Sequence, residues 1–431
     1  TTLVLLAVFV PTAFMGGITG QLYKQFALTI SAAVVFSTIN ALTLSPALCG
    51  ILMRKATGKK NIFFRAFNRV FDAITSVYGF VIGQFVRRVV IVLIVFGSLL
   101  TLTGWGFMQI PTGFIPTEDQ GYCFANIQLP DASSLSRTTE VLKQLDEIAK
   151  NTPGVANYIS VAGYSLLSSN NGGNLGLMAI VYDPWEERQT PELSQESIVA
   201  HLRKEFNKVQ EGIVIAFVPP PVDGLGSSGG FQMQLQDTGG VGLDTLQALA
   251  NEIVEDGNSQ AGLTALNTTI RANVPQLFVD INRTKVKTLD IPLSSVFNTL
   301  QAYLGSTYVN DFNKLGRTYQ VRVQADHEFR AQADDIRNLD VRNNNGDMVP
   351  VGTFVDVEDA FGAQVIQRYL LYPCAQINGE PAPGFSSGQA LEIMEDMVDK
   401  KLSATMDYKW TGMSYQEKEA SGGQALIFGL A

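Results

Sequence analysis

The sequence predicts a protein of two natures: α-helical membrane spans in its first quarter, then extramembrane α+β domains made of two βαββαβ units, the second interrupted by an α+β insertion. Three observations carry this reading. The long uncharged apolar runs fall before residue 110, apart from a short one at the end of the chain. From Tyr122 onward, apolar residues either alternate with polar ones or recur at helical spacing. Charge is also partitioned: 8 of 31 basic residues but only 1 of 40 acidic ones lie between Arg54 and Arg88, leaving about −16 elsewhere.

At 431 residues the chain exceeds a single core, and its length suggests roughly three domains. The mean hydropathy of +0.13 averages over a very apolar part and a soluble-looking part. A basic connector between apolar runs is the signature of an inward-facing loop, so the acidic remainder lies on the opposite side of the membrane. That acidity argues against nucleic acid as a partner. Cys49, Cys123 and Cys374 form no C-x-x-C pair and read as isolated small apolar residues. His201 and His327 stand far apart, so no metal site and no cofactor is expected. Thr1 opens inside an apolar run and residues 425–431 begin another, so the chain reads as an internal fragment cut within a membrane helix at each end.

Taken in order, residues 3–15 are apolar but shorter than the ~20 needed to span; they read as the second part of a helix kinked by Pro11. Gly16-Gly17-Ile18-Thr19-Gly20 reads as a tight turn, and residues 26–53, without a charged side chain, as a full span. Within 61–88, Phe63, Phe67, Val70, Ile74 and Val77 recur at helical spacing with Arg65, Arg69 and Asp72 between them. This is the pattern of an amphipathic helix lying on the inner membrane surface, or of a soluble helix packed on another domain. Residues 89–108 form the next span, with Trp105 near its outer end. Pro111 and Pro116 cannot continue that helix, and Glu118 and Asp119 are costly in hydrocarbon, so the chain leaves the membrane between Ile110 and Gly121.

Residues 122–129 alternate as a strand, and Ser133 or Ser134 caps a helix running to about Lys150. Strands at 158–162 and 177–182, separated by a polar loop, a helix over 192–209 and a strand at 213–218 complete a βαββαβ order, the ferredoxin-like split βαβ. After a flexible glycine linker at 224–230, a second such unit starts with a strand at 231–235, a helix over 243–256 and a strand near 263–269. About a hundred residues of short strands and turns intervene before a strand at 374–378, a helix over 387–402 and a strand at 408–412 finish it.

Six motifs in order, at consistent intervals, then resemble a known family. They are Val10-Pro11-Thr12-Ala13-Phe14-Met15-Gly16-Gly17, Leu44-Ser45-Pro46-Ala47-Leu48-Cys49, Pro116-Thr117-Glu118-Asp119-Gln120-Gly121, Tyr308-Val309-Asn310-Asp311-Phe312, Gly316-Arg317 and Trp410-Thr411-Gly412-Met413-Ser414-Tyr415-Gln416-Glu417. The chain resembles the hydrophobe/amphiphile-efflux branch of the resistance-nodulation-division (RND) transporters, inner-membrane pumps of tripartite multidrug efflux systems. The resemblance implies the following layout. Residues 1–53 would be the fifth (truncated) and sixth transmembrane helices, 54–88 a cytoplasmic connector, and 89–110 the seventh helix. Residues 111–223 would be the third porter subdomain and 224–272 with 373–418 the fourth. Residues 273–372 would be half of the docking domain, and 419–431 the start of the next helix. It also implies a homotrimer in the Gram-negative inner membrane with a large periplasmic domain. Such a pump works with a periplasmic adaptor (membrane fusion) protein and an outer-membrane channel, and proton antiport drives hydrophobic or amphiphilic drugs outward.

No nucleophile–base arrangement is visible, and the Gly-rich runs lack a following Lys-Ser/Thr, so neither a catalytic site nor a P-loop is expected. By the resemblance, Ala162, Gly163, Tyr164, Ser165 and Leu166 correspond to a switch loop between an outer and an inner drug pocket. Phe124, Asn126, Ile159, Val161, Ala179, Ile215 and Phe217 match pocket-lining positions, joined by Tyr164 and Leu166. Ile159, Leu166 and Ala179 stand where relatives often carry phenylalanine, which implies a wider, more aliphatic pocket. From pattern alone, Ile159, Val161 and Phe217 read instead as ordinary inward strand positions. The three apolar runs carry no Asp, Glu, Lys, Arg or His, so no proton relay is expected within this fragment. Two alternatives remain: a heavy-metal-efflux RND pump, for which Met178 and Met233 lack a third partner, and a non-transporting membrane scaffold or protein-export accessory of related architecture.

Overall fold

The structure, a computed structural model, describes residues 2–14, 17–53, 62–109, 113, 115–116 and 118–420. The expected connector around Lys59, much of the exit stretch from Ile110 to Thr117, and the apolar run at 421–431 lie outside the described residues.

Four helices come first: α1 (Thr2–Thr12), α2 (Gly17–Leu52), α3 (Ile62–Arg87) and α4 (Val89–Gln109). Pro11 sits in the last turn of α1, so it ends that helix rather than kinking it. Of the tight turn expected over Gly16–Gly20, Gly17 through Gly20 instead form the first turn of α2, and Gly16 lies outside the described residues. Once the long run behind them is helical, each added residue gains a hydrogen bond without a new nucleus. Among the described residues, two helices, Tyr23–Leu52 and Val89–Phe107, are long and apolar enough to cross a membrane. Almost all of their side chains are exposed, the opposite of a soluble core helix. Thr2 and Thr38 tie α1 to α2 through a 2.6 Å hydroxyl–hydroxyl bond.

The first α+β unit comprises β1 (Tyr122–Gln128), α5 (Leu135–Lys150), β2 (Val155–Ser165), β3 (Asn170–Tyr182), α6 (Gln195–Phe206) and β4 (Ile213–Phe217). Its antiparallel sheet runs β2-β3-β1-β4. Ser134 caps α5 by accepting from Arg137 N, and Ser194 caps α6 by accepting from Ser197 N. The 192–209 helix is therefore trimmed at its start, where Pro191–Leu193 form a separate 3-10 turn. Ala125, Ile127, Met178, Ile180 and Ala216 pack beneath Val141, Leu145, Ile198 and Leu202 to form the core.

The second unit repeats this path: β5 (Phe231–Asp237), α7 (Leu243–Ser259), β6 (Leu263–Thr268) and, after the insertion, β13 (Arg368–Tyr369), β14 (Tyr372–Pro381), α11 (Ser387–Asp399) and β15 (Met406–Trp410). The sheet runs β13-β14-β5-β15, with β6 also paired to β14. A last helical stretch covers 412–420. The intervening elements are β7 (Val274–Ile281), α8 (Arg283–Thr288), α9 (Leu293–Leu300), β8 (Thr307–Lys314), β9 (Arg317–Val323), α10 (Ala333–Arg337), β10 (Asp340–Arg342), β11 (Met348–Pro350) and β12 (Val355–Gly362). They hold their own core around Val286, Val296, Val351 and Phe354, below the ladder that pairs β7 with β12. The β8–β9 hairpin projects from it, exposed along β8.

Two sequence expectations need correction. Residues 170–174, expected as loop, are strand: Tyr164 pairs with Asn171 and Ser165 with Asn170, leaving a four-residue turn at 166–169. Cross-strand bonding, with Thr138 Oγ1 donating to Gly173 O at 2.6 Å, overrides the turn preference of the asparagines and glycines. The 224–230 linker is partly packed rather than free. A Cβ on Gly230 (φ +82°) would lie 2.2 Å from Gly379 O, so the chain crosses β14 there only because the side chain is missing.

Where described, the entry to the first unit is tightly held. Arg188, its side chain almost wholly buried, donates to both oxygens of Asp119 at 2.9 and 3.2 Å and stacks 4.9 Å over Tyr182. Gly121 N donates to Asp119 Oδ1, Gln195 to Glu118 O, and Gln120 to Pro220 O. Burial works against the Asp119 charge, but the hydrogen bonds from Arg188 and Gly121 prevail and hold its carboxyl below the usual range.

Candidate functional site

Strand alternation decides which sheet face carries which side chain. In β1, Cys123, Ala125 and Ile127 point to the helices, so Phe124, Asn126 and Gln128 point away. The register then builds two rows on the helix-free face. One runs Ile159–Ala179–Phe124–Phe217 and the other Val161–Leu177–Asn126–Ile215. Seven of the nine residues expected to line a pocket thus share a single face, although they come from four strands. The inward reading of Ile159 and Val161 is overturned: they are 64% and 42% exposed, and the core is made by their neighbours. Phe217 is buried, but on the outer face against Phe124, ring centroids 5.9 Å apart.

Tyr164 and Leu166, the other two, stand half-buried at the end of the β2–β3 hairpin. Ala162 to Ser165 belong to β2 rather than to a loop, and the register slips between Ala162 and Tyr164, at Gly163. Gly163 has φ +92°, a conformation costly for any residue with a Cβ, and an added Cβ would come within 3.2 Å of Leu135. Asn126, buried among apolar neighbours, accepts from Ser165 Oγ at 2.7 Å and so fixes the hairpin end to the sheet face. Across from it, Gln367 donates to Ser168 O, tying the turn to the second unit.

Beside this face a cavity of about 520 Å³ opens between the two units, walled by β4 and α6 on one side and α7 and β6 on the other. Arg203 bridges the units: its Nε donates to Ala216 O at 2.8 Å and its Nη2 to Glu380 at 2.7 Å. A separate small pocket of about 10 Å³ lies nearby, lined by Leu167, Phe217, Gly229, Asn267 and Asn378. That is room for roughly one water.

Several of these residues escaped the sequence reading. Leu167, buried at 3%, lines the small pocket next to the expected site residue Leu166. Arg203 and Glu380 lie 177 positions apart, with no local signal to join them. The second unit turns a row of carboxamides to the corresponding face. Gln234 donates to Gln376, Gln376 and Gln232 donate to Asn378, and Asn378 donates to Asn267. Here a signal existed: Gln232, Gln234 and Gln236 recur with the strand period.

The face offers apolar contact and little reactive chemistry. Burial pushes the thiols of Cys123 and Cys374 up to about 11, so neither is a nucleophile near neutrality. Met178 and Met233 are fully buried in separate cores, unavailable to a soft metal. No cluster of metal-ligating side chains occurs among the described residues.

Residues 1–431 match the model of the AcrB/AcrD/AcrF family. The chain belongs to that family. Over 434 residues it is 37% identical to multidrug export protein AcrF of Escherichia coli K12, covering 98% of this chain and 41% of that protein. It is 34% identical to the multidrug/solvent efflux pump membrane transporter MepB of Pseudomonas putida (100% and 41% covered) and to multidrug resistance protein MdtF of E. coli O157:H7 (99% and 42%). The chain spans about two fifths of the length of these relatives. Membership makes this a membrane protein, and its two long apolar helices are consistent with that.

Proposed function

We propose that the chain is part of a proton-driven multidrug efflux pump that takes lipophilic or amphiphilic compounds from the periplasm or outer leaflet and hands them to an outer-membrane channel. The observation that carries this reading is the helix-free apolar face of the first unit, with its Gly163 hairpin, beside the cleft between the two units. Apolar contact is non-directional, so a broad face with few fixed polar groups accepts many shapes. Both sheets have the strand order of a ferredoxin-like βαββαβ unit, which supports assigning 111–223 and the split 224–272 with 373–418 to the third and fourth porter subdomains. The insertion 273–372 is then the docking half, and its hairpin the part that reaches other components. Homotrimerisation, inner-membrane placement, and a periplasmic adaptor and outer-membrane channel as partners belong to the same reading. So does a switch function for Ala162 to Leu166, with Phe124, Ile159, Val161, Ala179, Ile215 and Phe217 receiving the ligand.

Gly163→Pro in the full-length protein tests it. Proline fixes φ near −65° and cannot take the φ of +92° found there. Dye efflux from cells should fall for bulky substrates and hold for small ones, with the oligomer intact on native gels. Unchanged efflux of the bulky dye would refute the switch assignment.

A further inference from the structure

We infer that the junction between α3 and α4 is a seat for one anionic glycerophospholipid, its headgroup at Arg88 and an acyl chain along α4. The helix breaks at a single residue: Arg88 alone is non-helical between Arg87 and Val89. Its N–H still donates to Gln84 O and Phe85 O, and its carbonyl accepts from Val92 N. The hydrogen-bond ladder therefore runs on through the break, and the junction is held rather than loose. Along it lies a groove of about 440 Å³ whose polar groups, Gln84 and Arg88, sit together at one end. The rest is hydrocarbon: Phe85, Val92, Val95, Phe96 and Leu99, recurring at the spacing that makes one continuous helix face.

Two features select the occupant. Length is the first: Arg88 to Leu99 rises about 16 Å at ~1.5 Å per residue, roughly half of a ~30 Å hydrocarbon core, which is the depth of one leaflet. Charge is the second. Arg87 and Arg88 have no carboxylate partner among the described residues, and the one acid of α3 and α4, Asp72, lies sixteen positions back along the helix. A site with a lone cationic mouth and an apolar floor complements a phosphate diester carrying an acyl chain. A neutral lipid fills the floor but leaves the guanidinium without an anion. An apolar drug has no use for the mouth.

The proposal rests on α3 and α4 meeting a membrane, and not on transport. Full-length protein would be released from bilayers containing equal phosphatidylglycerol and phosphatidylcholine, and the lipid it retains counted by native mass spectrometry. Wild type should keep phosphatidylglycerol preferentially. Arg88→Gln should lower that preference about five-fold, Arg65→Gln should leave it unchanged, and Val92→Trp should lower retention of both lipids by filling the groove. Equal retention of the two lipids by wild type, or a preference indifferent to Arg88→Gln, overturns the seat. A spin label at Val95 separates the two levels of failure. Quenching by membrane-dissolved oxygen with no lipid preference defeats the seat alone. Shielding from oxygen means that protein covers this face, and it defeats the proposal at its foundation.

Discussion

The two α+β units share one strand path and present opposite chemistry on the same face. In the first, the outward positions of β1 and its neighbours are Phe124, Ile159, Val161, Ile215 and Phe217, relieved by Asn126 and Gln128. In the second, the equivalent strands β5 and β14 offer Gln232, Gln234, Gln376 and Asn378. Strand order alone therefore specifies no ligand, because the path is set by the inward residues while the outward ones are free to differ. An apolar face left open costs solubility unless something is meant to cover it. The carboxamide row is largely bonded to itself, with the buried Gln234 Oε1 left without a partner.

The largest test of this contrast concerns the chain crossing that presses onto the amide face. Gly230→Ala should destabilise the second unit by roughly 3 kcal/mol, since its Cβ meets a backbone oxygen and its φ is positive. Hydrogen exchange should show β5 and β14 losing protection while β1 and β3 keep theirs; equal loss in both units would refute the separation of their cores.

Asp119→Leu should cost the first unit roughly 3 kcal/mol by stranding a buried guanidinium. The Asp119 carboxyl is depressed in the folded state, so its stabilisation is complete above the unfolded value near ~3.9 and fades as pH falls through the lower folded value. Protection of β1 should thus weaken below about pH 4 in wild type, and the variant should lack that acid-dependent component. An unchanged acid profile in the variant would assign the effect to other groups.

The smallest effects compare the faces directly. Gln234→Leu and Gln376→Leu should each cost about 1–2 kcal/mol by leaving a partner unbonded, and the double substitution should cost less than their sum. Val161→Asn on the exposed apolar face should stay within about 0.5 kcal/mol. Additive amide substitutions would mean that the row is a list of pairs rather than a network.

Much of this was open to reading from residues. Alternation over Tyr122–Gln128, the serine at 134 before a helical run, and the lack of charge in α2 and α4 mark elements through forces acting within a few residues. Element ends were harder. The turn after Ser165 looked long because asparagine and glycine are turn residues, yet pairing to a partner strand outweighs that preference. Glycines 229 and 230 looked like slack because a sequence does not reveal what passes close to them.

For the site the division is sharper. Sequence motifs pointed to the family, and the resemblance to it nominated the candidates, the apolar strand positions and the lone glycine at 163. Tertiary structure alone decided that Ile159 and Val161 face outward. Alternation fixes only that neighbours oppose each other, and the inward set is whichever one the helices happen to cover. It also decided that Leu167 meets Asn267 and Asn378 at one small pocket and that Arg203 joins two units through Glu380. Such contacts join residues far apart in the chain, whose meeting depends on the packing of whole elements, and no local pattern records it.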